Sequence, residues 1–377
     1  MSTNPASPHI LCANPKAQYD AHAEGIRHAI SSVLESGWYV LGNEVTSFEK
    51  EFAEFAGVSH CIGVANGTDA LALALRGCEI SPGDEVITVS HSAVATVAAI
   101  EQIGAIPVLC DITPENRCLN PELLPTLISE RTKAIIVVHI YGHPADMESI
   151  CSFAKHNNLR VIEDCAQAHG AKIRGQTVGS FGDAGTFSFY PTKNLGAIGD
   201  GGCVVTSSQR VADNVRSIRQ YGWEERYVSS IPGLNSRLDE LQAAILRVKL
   251  PHLESENNRR NEIANMYDQA LLGTSLGLPH RSDSISHAMH LYVVEHDKRD
   301  SLQSFLASRG IQAAIHYPLA IHQQPAYSTR QIRGADNLPQ TERLYSRILS
   351  LPMFPQLSNE HVVQTANEVR IWLEDNS

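Results

Sequence analysis

Between residues 59 and 206, short apolar and β-branched runs alternate with longer stretches of helical periodicity. Several runs are apolar throughout, which is typical of strands covered on both faces of a sheet. The predicted strands are 61–65, 85–89, 107–111, 134–139, 160–164, 186–190 and 202–206. Helices are predicted between them at 68–76, 93–103 and 147–156, among others. This alternation predicts an α/β fold with a mostly parallel, seven-stranded sheet covered by helices.

The pattern changes after Pro232, where long helical periodicity replaces the short apolar runs. Residues 235–272 favour helices that Pro251 is expected to break or kink. Further elements are predicted as strands at 290–295 and 311–316, a helix at 301–308, and a last helix from 358 or 359 to 372. We therefore predict a large α/β domain at 15–250 and a smaller C-terminal α+β domain at 251–377.

Composition narrows the class of protein. The 377-residue chain has 43% hydrophobic and 19% charged residues, and its net charge of −11 argues against a general nucleic-acid surface. No apolar run approaches the roughly 20 residues that cross a membrane, and residues 1–14 lack the basic start and apolar core of a signal peptide. Eight cysteines without a C-x-x-C pair indicate free thiols rather than a zinc site. We expect a cytoplasmic protein that binds no metal, nucleic acid or membrane.

The junction between the first predicted strand and helix is a candidate anion site. An apolar strand stops at Asn66 and Gly67, and a helix begins at once with Thr68. Free backbone N–H groups at a helix start bind anions, and Gly67 would let a phosphate approach closely. Taken alone, an ordinary strand-to-helix turn with a capping threonine is the simpler interpretation.

A second candidate segment ends the strand at 160–164 with Asp164, at the sheet edge where α/β ligands bind. An ionised aspartate there could pair with a protonated pyridine nitrogen. The small side chain of Ala166 could lie flat against a ring, and Gln167 could donate to a phenolic oxygen. The alternative is a helix-capping aspartate followed by packing residues. His169 is interpreted as a structural histidine.

The third segment places Lys193 in a glycine-rich loop between two apolar strands. Desolvation or neighbouring cations would lower the pKa of an amine there toward Schiff-base chemistry. Ser188 carries a hydroxyl suited to a phosphate. For any single lysine, a surface position in a hairpin would be the favoured interpretation.

Order and spacing connect the three segments, because a phosphate turn, a strand-end carboxylate and a lysine 29 residues beyond it form the arrangement of fold-type-I pyridoxal-phosphate enzymes. Over almost its whole length the sequence resembles the DegT–StrS family of sugar aminotransferases. The matching stretches run from 57 to 71, and over 83–87, 139–147, 163–170, 188–196 and 235–243. The resemblance implies the fold of a fold-type-I transferase.

The resemblance also implies the site residues. Lys193 would bind pyridoxal 5′-phosphate as a Schiff base and move protons, and Asp164 would hold the pyridine nitrogen. The further cofactor contacts implied are Gly67, Thr68, Ala166, Gln167 and Ser188. Asn235 would reach the phosphate of a neighbouring subunit, which implies a homodimer with shared active sites. Capping of the following helix is a second interpretation of Asn235, and both can hold.

One position departs from the family pattern. Relatives carry an aromatic side chain that stacks on the cofactor ring, and the matching position here is Ala93. We expect either that His91 or another side chain covers that face, or that the ring is less enclosed.

The implied reaction is transfer of an amino group from glutamate to a keto-sugar, by ping-pong kinetics. Residues 195–202 resemble relatives that aminate nucleotide-linked 3-keto-deoxysugars. Amination of a 4-keto nucleotide sugar or of a keto-cyclitol stays open. A sugar dehydratase is disfavoured because such relatives have histidine in place of the lysine, and a regulatory protein is disfavoured by the acidic charge balance. Candidates for nucleotide recognition are Arg219, Tyr221, Arg226, His316 and Tyr317.

Overall fold

The computed structural model describes residues 10–282, 284–330 and 332–376; residues 1–9, on which part of the signal-peptide expectation depends, lie outside this range. The strands are β1 His60–Val64, β2 Glu85–Val89, β3 Ile106–Cys110, β4 Thr132–Val138, β5 Arg160–Asp164, β6 Lys172–Ile173, β7 Gln176–Thr177, β8 Ala184–Ser188, β9 Gly202–Thr206, β10 Trp223–Glu225, β11 Val228–Ser229, β12 Ile285–Ser286, β13 Tyr292–Glu295 and β14 Ile348–Leu351.

The α-helices occupy much of the remaining chain. They are α1 Pro15–Ala21, α2 Ala23–Ser36, α3 Asn43–Ala56, α4 Gly67–Gly77, α5 Ala95–Gln102, α6 Leu124–Leu127, α7 Met147–His156, α8 Gln209–Ile218, α9 Glu240–Lys249, α10 Leu253–Leu271, α11 Arg299–Ser308, α12 Pro339–Tyr345 and α13 Asn359–Asn376.

Seven strands form the central sheet in the order β1-β9-β8-β5-β4-β2-β3. The pairs β3–β2, β2–β4, β4–β5 and β5–β8 are parallel, and β9 runs antiparallel to both of its neighbours. Every residue of β2 and of β9 is buried, because helices and loops cover both faces. The predicted α/β class and mostly parallel sheet are confirmed. Because β9 is antiparallel to both β1 and β8, the other six strands run in the same direction and their carboxyl ends meet at one edge.

The C-terminal part has its own apolar cluster, in which Tyr267, Tyr292, Leu306 and Trp372 pack together with Ile10 from the N-terminal arm. The strands β13 and β14 pair antiparallel beside it. The domain boundary at 250/251 stays a prediction. In the ranges that the structure describes, no helix combines the length and apolar character needed to span a membrane.

Several element bounds differ from the predicted ones by a few residues, and one predicted strand does not form. The strand predicted at 311–316 is wrong, because Ile311 and Ala314 form only isolated bridges, to Ile10 and Ser350. The strand predicted at 186–190 lies two residues earlier in the chain, at Ala184–Ser188, and its last residue is therefore Ser188. The helical pattern at 235–272 resolves into α9 and α10, separated by a short 3-10 turn at Leu250–His252 that contains Pro251.

Candidate active site

A cavity of about 610 Å³ opens at the carboxyl edge of the central sheet. It receives residues that follow β1, β2, β4, β5 and β8, because the carboxyl ends of parallel strands meet at one edge. Seven of the eight residues predicted to contact a cofactor line it: Gly67, Thr68, Asp164, Ala166, Gln167, Ser188 and Lys193. The structure therefore brings together segments that are up to 126 residues apart (Lys193 minus Gly67).

The start of α4 forms the anion-binding end of this cavity. Asn66 is the N-cap, and its side chain accepts a hydrogen bond from the amide of Asp69 at 2.8 Å. The amides of Gly67 and Thr68 precede the first intrahelical donor and point out of the helix start. A Cβ atom on Gly67 would lie 2.7 Å from the Cβ of Ser188, so only glycine permits this approach of β8 to the helix. The arrangement suits a phosphate.

Asp164 is the last residue of β5, lines the cavity and is 7% exposed. Burial raises the pKa of its carboxyl, while the amide of Ala166 and the hydroxyl of Thr96 act in the other direction by donating hydrogen bonds to it. The Ala166 amide is 3.2 Å from Oδ1, and the Thr96 Oγ1 is 3.0 Å from Oδ2. The predicted helix cap at Asp164 is not its role here, since no described helix begins within the next five residues.

Lys193 reaches the cavity from the loop between β8 and β9. Burial lowers the pKa of its amine to about 8, and the charge of Asp164 opposes that shift. The amine is thus partly unprotonated near neutral pH and available as a nucleophile or base. The interpretation as a solvated surface lysine is wrong.

The loop that carries Lys193 is held at both of its ends. The amide of Lys193 donates to the carbonyl of Tyr190 at 2.8 Å, and the amide of Ala197 donates to the carbonyl of Phe189 at 2.7 Å. The buried side chain of Asn194 donates to the carbonyl of Ala288 at 2.7 Å. A rigid loop keeps the amine directed at one point in the cavity, as a catalytic group requires.

Gln167 is oriented by two hydrogen bonds. Its Oε1 accepts from the amide of Tyr141 at 2.7 Å, and its Nε2 donates to the hydroxyl of Tyr317 at 3.1 Å. The backbone N–H of Tyr141 can only donate, so the side-chain oxygen of Gln167 must face it. The side-chain nitrogen of Gln167 is therefore directed toward Tyr317. Tyr317, a candidate for nucleotide recognition, therefore touches the site through Gln167.

His139 lines the cavity with a fixed tautomer, and sequence analysis did not single it out. Its Nδ1 accepts from the amide of Ala145 at 3.0 Å, so its Nε2 carries the proton that it donates to Glu163 at 3.1 Å. Glu163 also accepts from the amides of Gly179, Phe181 and Gly182. Because both ring nitrogens of His139 and the carboxylate of Glu163 are engaged in these bonds, the His139 ring has a fixed orientation at the edge of the cavity.

Ala93 lines the cavity, whereas His91 does not. His91 is fully buried, with its ring edge-on to Tyr141 and Tyr345 at centroid distances of 5.4 and 5.3 Å. Burial lowers the pKa of His91 to about 3, which keeps it neutral. The alternative in which His91 covers a cofactor ring is therefore wrong.

Asn235 is exposed and does not line the cavity of its own chain. It also does not cap a helix, because α9 begins at Glu240 with Asp239 as its N-cap. Arg219 is buried and bonds to Glu49 and to the carbonyl of Gly63 at 2.7 Å, so it supports β1 rather than a ligand. Tyr221 and Arg226 are exposed and lie outside the cavity.

Several polar residues of the cavity were missed from the sequence, among them Ser92, His139, Tyr190 and Asp200. Ser92 stands in the segment where the family resemblance placed the stacking residue, and His139 directly follows β4. The signal that could have found both is their position at or just after the end of a predicted buried strand.

The sheet order and the placement of this cavity are those of a fold-type-I aminotransferase. At a finer level, residues 20–370 match the DegT/DnrJ/EryC1/StrS aminotransferase family, and the chain belongs to that family. It is an aminotransferase, as the resemblance predicted.

Named relatives refine the comparison. The chain is 42% identical over 375 residues to the dTDP-3-amino-3,4,6-trideoxy-alpha-D-glucose transaminase of Streptomyces venezuelae, covering 99% of each chain. It is 47% identical over 344 residues to the dTDP-3-amino-3,6-dideoxy-alpha-D-galactopyranose transaminase of Aneurinibacillus thermoaerophilus, covering 91% of this chain and 94% of the other. Among solved structures, S. venezuelae DesV in complex with a ketimine intermediate superposes with a TM-score of 0.95 at 42% identity, over 98% of this chain and 99% of that one.

Proposed function

We propose that this protein is a cytoplasmic homodimer that transfers an amino group from glutamate to a nucleotide-linked 3-keto-deoxysugar, with pyridoxal 5′-phosphate in the cavity around Lys193. The observation that carries the proposal is the Lys193 amine, whose pKa is lowered to about 8 and which faces Asp164 in one cavity with the start of α4. The two transaminases of dTDP-linked 3-amino sugars support the choice of the 3-position.

The residues of the cavity fit the chemical groups of this cofactor. Pyridoxal phosphate has an aldehyde, a ring nitrogen and a phosphate, and the cavity offers an amine at Lys193, a carboxylate at Asp164 and helix-start amides at Gly67 and Thr68. The contact between Gly67 and Ser188, too close for any Cβ atom, places the Ser188 hydroxyl beside those amides. When bound, the cofactor supplies an electron sink for breaking the C–H bond beside the amino group.

The protein's own groups divide the remaining work. Lys193, with a pKa near the operating pH, takes up and returns the proton of that C–H bond. Asp164 would hold the ring nitrogen protonated by its negative charge, and Ala166 would contact the ring. The Nε2 of Gln167, which is held beside Tyr317, would donate to the ring hydroxyl.

The dimer is proposed because Asn235 lies outside its own cavity. Close to it, the hairpin of β10 and β11 carries Tyr227 and Val228, which are 73% and 58% exposed. Exposed apolar side chains on one protruding element favour a protein interface. In a homodimer with two-fold symmetry, this segment of one subunit would reach the phosphate end of the other's cavity.

The proposal is tested with purified protein, pyridoxal phosphate and glutamate labelled with nitrogen-15. Matched 3-keto and 4-keto nucleotide deoxysugars and a free keto-cyclitol are offered separately, and the aminated products are detected by mass. We expect labelled nitrogen in the product of the 3-keto nucleotide sugar. Label only in the 4-keto or cyclitol product would overturn the substrate assignment, and label in none of them would overturn the reaction.

A further inference from the structure

Thr96 and Ser92 form a chain of hydroxyl groups that ends on Asp164. The Oγ1 of Thr96 lies 3.0 Å from Oδ2 of Asp164 and 2.8 Å from the Oγ of Ser92. Thr96 is fully buried and Ser92 is 3% exposed, so little of either side chain is open to solvent. Both residues come from the turn after β2 and the start of α5, on a different part of the sheet from Asp164.

The Thr96 hydroxyl is not needed for the helix in which it stands. Thr96 is the second residue of α5, whose N-cap, Val94, makes no side-chain capping bond. A threonine inside a helix commonly donates its proton to the carbonyl of the preceding turn. Here the proton goes across to a carboxylate that lies 68 positions later in the chain. The contact is therefore tertiary and directed at Asp164.

The number of protons fixes the direction of this chain. A hydroxyl has one proton to donate. When Asp164 is ionised, Thr96 donates to it, and the 2.8 Å contact then requires Ser92 to donate to Thr96. When Asp164 carries its proton on Oδ2, the order has to reverse. A hydrogen bond donated to Oδ2 favours the ionised carboxyl group and disfavours a proton on that oxygen.

We propose that Thr96, supported by Ser92, is a positioning residue that keeps the Asp164 carboxylate charged and fixes its rotation, with Oδ2 tied and the remaining lone pairs free for the cofactor's ring nitrogen. The inference rests on the proposed function for the identity of that partner. Other titratable groups near Asp164 are Lys193, whose charge favours the carboxylate, and His139, whose Nδ1 accepts a hydrogen bond from a backbone amide. The Asp164 charge in turn helps to raise the pKa of Cys165 and of Tyr317.

The chain offers a matched set of variants. Thr96→Val removes the hydroxyl at nearly constant volume, and Thr96→Ser keeps it. Thr88→Val is the control, because Thr88 is equally buried but donates only to the carbonyl of Ile136. Thermal unfolding of every variant is compared first, so that a general loss of structure is recognised.

Two readouts follow. The first is the titration of the Asp164 carboxyl in the cofactor-free protein, observed by carbon-13 NMR and assigned with Asp164→Asn. The second is the dissociation constant of pyridoxal phosphate. For Thr96→Val we expect the Asp164 titration to move to higher pH and the dissociation constant to rise roughly tenfold, as for a lost hydrogen bond to a charged group. Ser92→Ala should show the same changes to a smaller extent, and Thr96→Ser should resemble the wild type.

The outcomes separate this inference from the proposed function. If Thr96→Val matches Thr88→Val in both readouts, or if Thr96→Ser is as impaired as Thr96→Val, the positioning role is refuted. If neither the wild type nor Thr88→Val binds pyridoxal phosphate, the proposed function fails. In that case an unshifted Asp164 titration in Thr96→Val refutes the positioning role, and a shifted one supports it.

Discussion

Lys193 and Asp164 act on each other's charge across the cavity. The Asp164 carboxylate raises the pKa of the Lys193 amine against the effect of burial, and Lys193 lowers the pKa of Asp164 in return. One group comes from the loop after β8 and the other from the end of β5, strands that pair in parallel. Because the two groups carry opposite charges in one cavity, each shifts the pKa of the other in the direction that favours the ionised form.

This coupling predicts the behaviour of Asp164→Asn. Because burial alone lowers the Lys193 pKa and Asp164 raises it, removing the carboxylate charge should move that pKa below its present value of about 8. The unprotonated amine should then persist to lower pH. Reductive methylation of Lys193 in the cofactor-free protein, followed by peptide mass analysis across pH, measures the midpoint directly.

Asp200→Asn is the control for that experiment. Asp200 lines the same cavity, but the shift of Lys193 is caused by burial and Asp164. A midpoint that stays in place in Asp164→Asn, or one that moves equally in Asp200→Asn, contradicts the coupling.

Gly67→Ala should weaken the binding of pyridoxal phosphate. The added Cβ would lie 2.7 Å from the Cβ of Ser188, so the helix start and β8 have to separate. We expect a loss of about tenfold or more in affinity, the size expected when one hydrogen bond to a charged group is broken. Equilibrium dialysis measures the change.

The double variant Gly67→Ala, Ser188→Gly removes the colliding atom and separates geometry from chemistry. If crowding causes the loss, Gly67→Ala should cost less affinity when it is added to Ser188→Gly than when it is added to the wild type. An equal loss in both backgrounds would show that the close packing at Gly67 is not the cause.

Mixing two inactive variants tests the placement of Asn235. Lys193→Ala lacks the amine, and Asn235→Asp puts a negative charge where a phosphate is proposed to bind. If Asn235 serves the neighbouring subunit, subunit exchange at equal amounts restores one native site in each mixed dimer, about a quarter of all sites. Turnover of the mixture measures the restoration. No gain over the separate variants would place Asn235 in its own subunit's site or outside any site.

The site residues at strand ends could be predicted from the sequence. A buried apolar run that ends in a polar residue places that residue at the carboxyl edge of a parallel sheet. Asp164 and Gly67 were predicted from such strand ends and Lys193 from a glycine-rich loop between two strands, and all three line one cavity. Thr96 was not found, because its role depends on a partner 68 positions away and on how β2, β4 and β5 align. Local patterns carry no information on such contacts.

Two predictions of local structure, the strand at 311–316 and the helix cap at Asn235, were wrong for similar reasons. Residues 311–316 have the composition of a strand, but their partners are isolated positions, so no ladder forms. Asn235 resembles an N-cap, yet the chain stays extended to Asp239, where Glu240 turns inward to accept bonds from the amides of Gly42 and Val45 at 2.7 and 2.9 Å. In both cases a tertiary contact overrides the local preference.

Covalent binding of the cofactor to Lys193 is tested by identifying the residue that becomes modified. The protein is incubated with pyridoxal phosphate, reduced with borohydride and digested, and the modified peptide is located by mass. We expect the reduced cofactor on Lys193, with loss of visible absorbance and turnover in a folded Lys193→Ala variant. Modification of another lysine such as Lys249, whose pKa burial also lowers to about 8, with Lys193 unmodified, would contradict it.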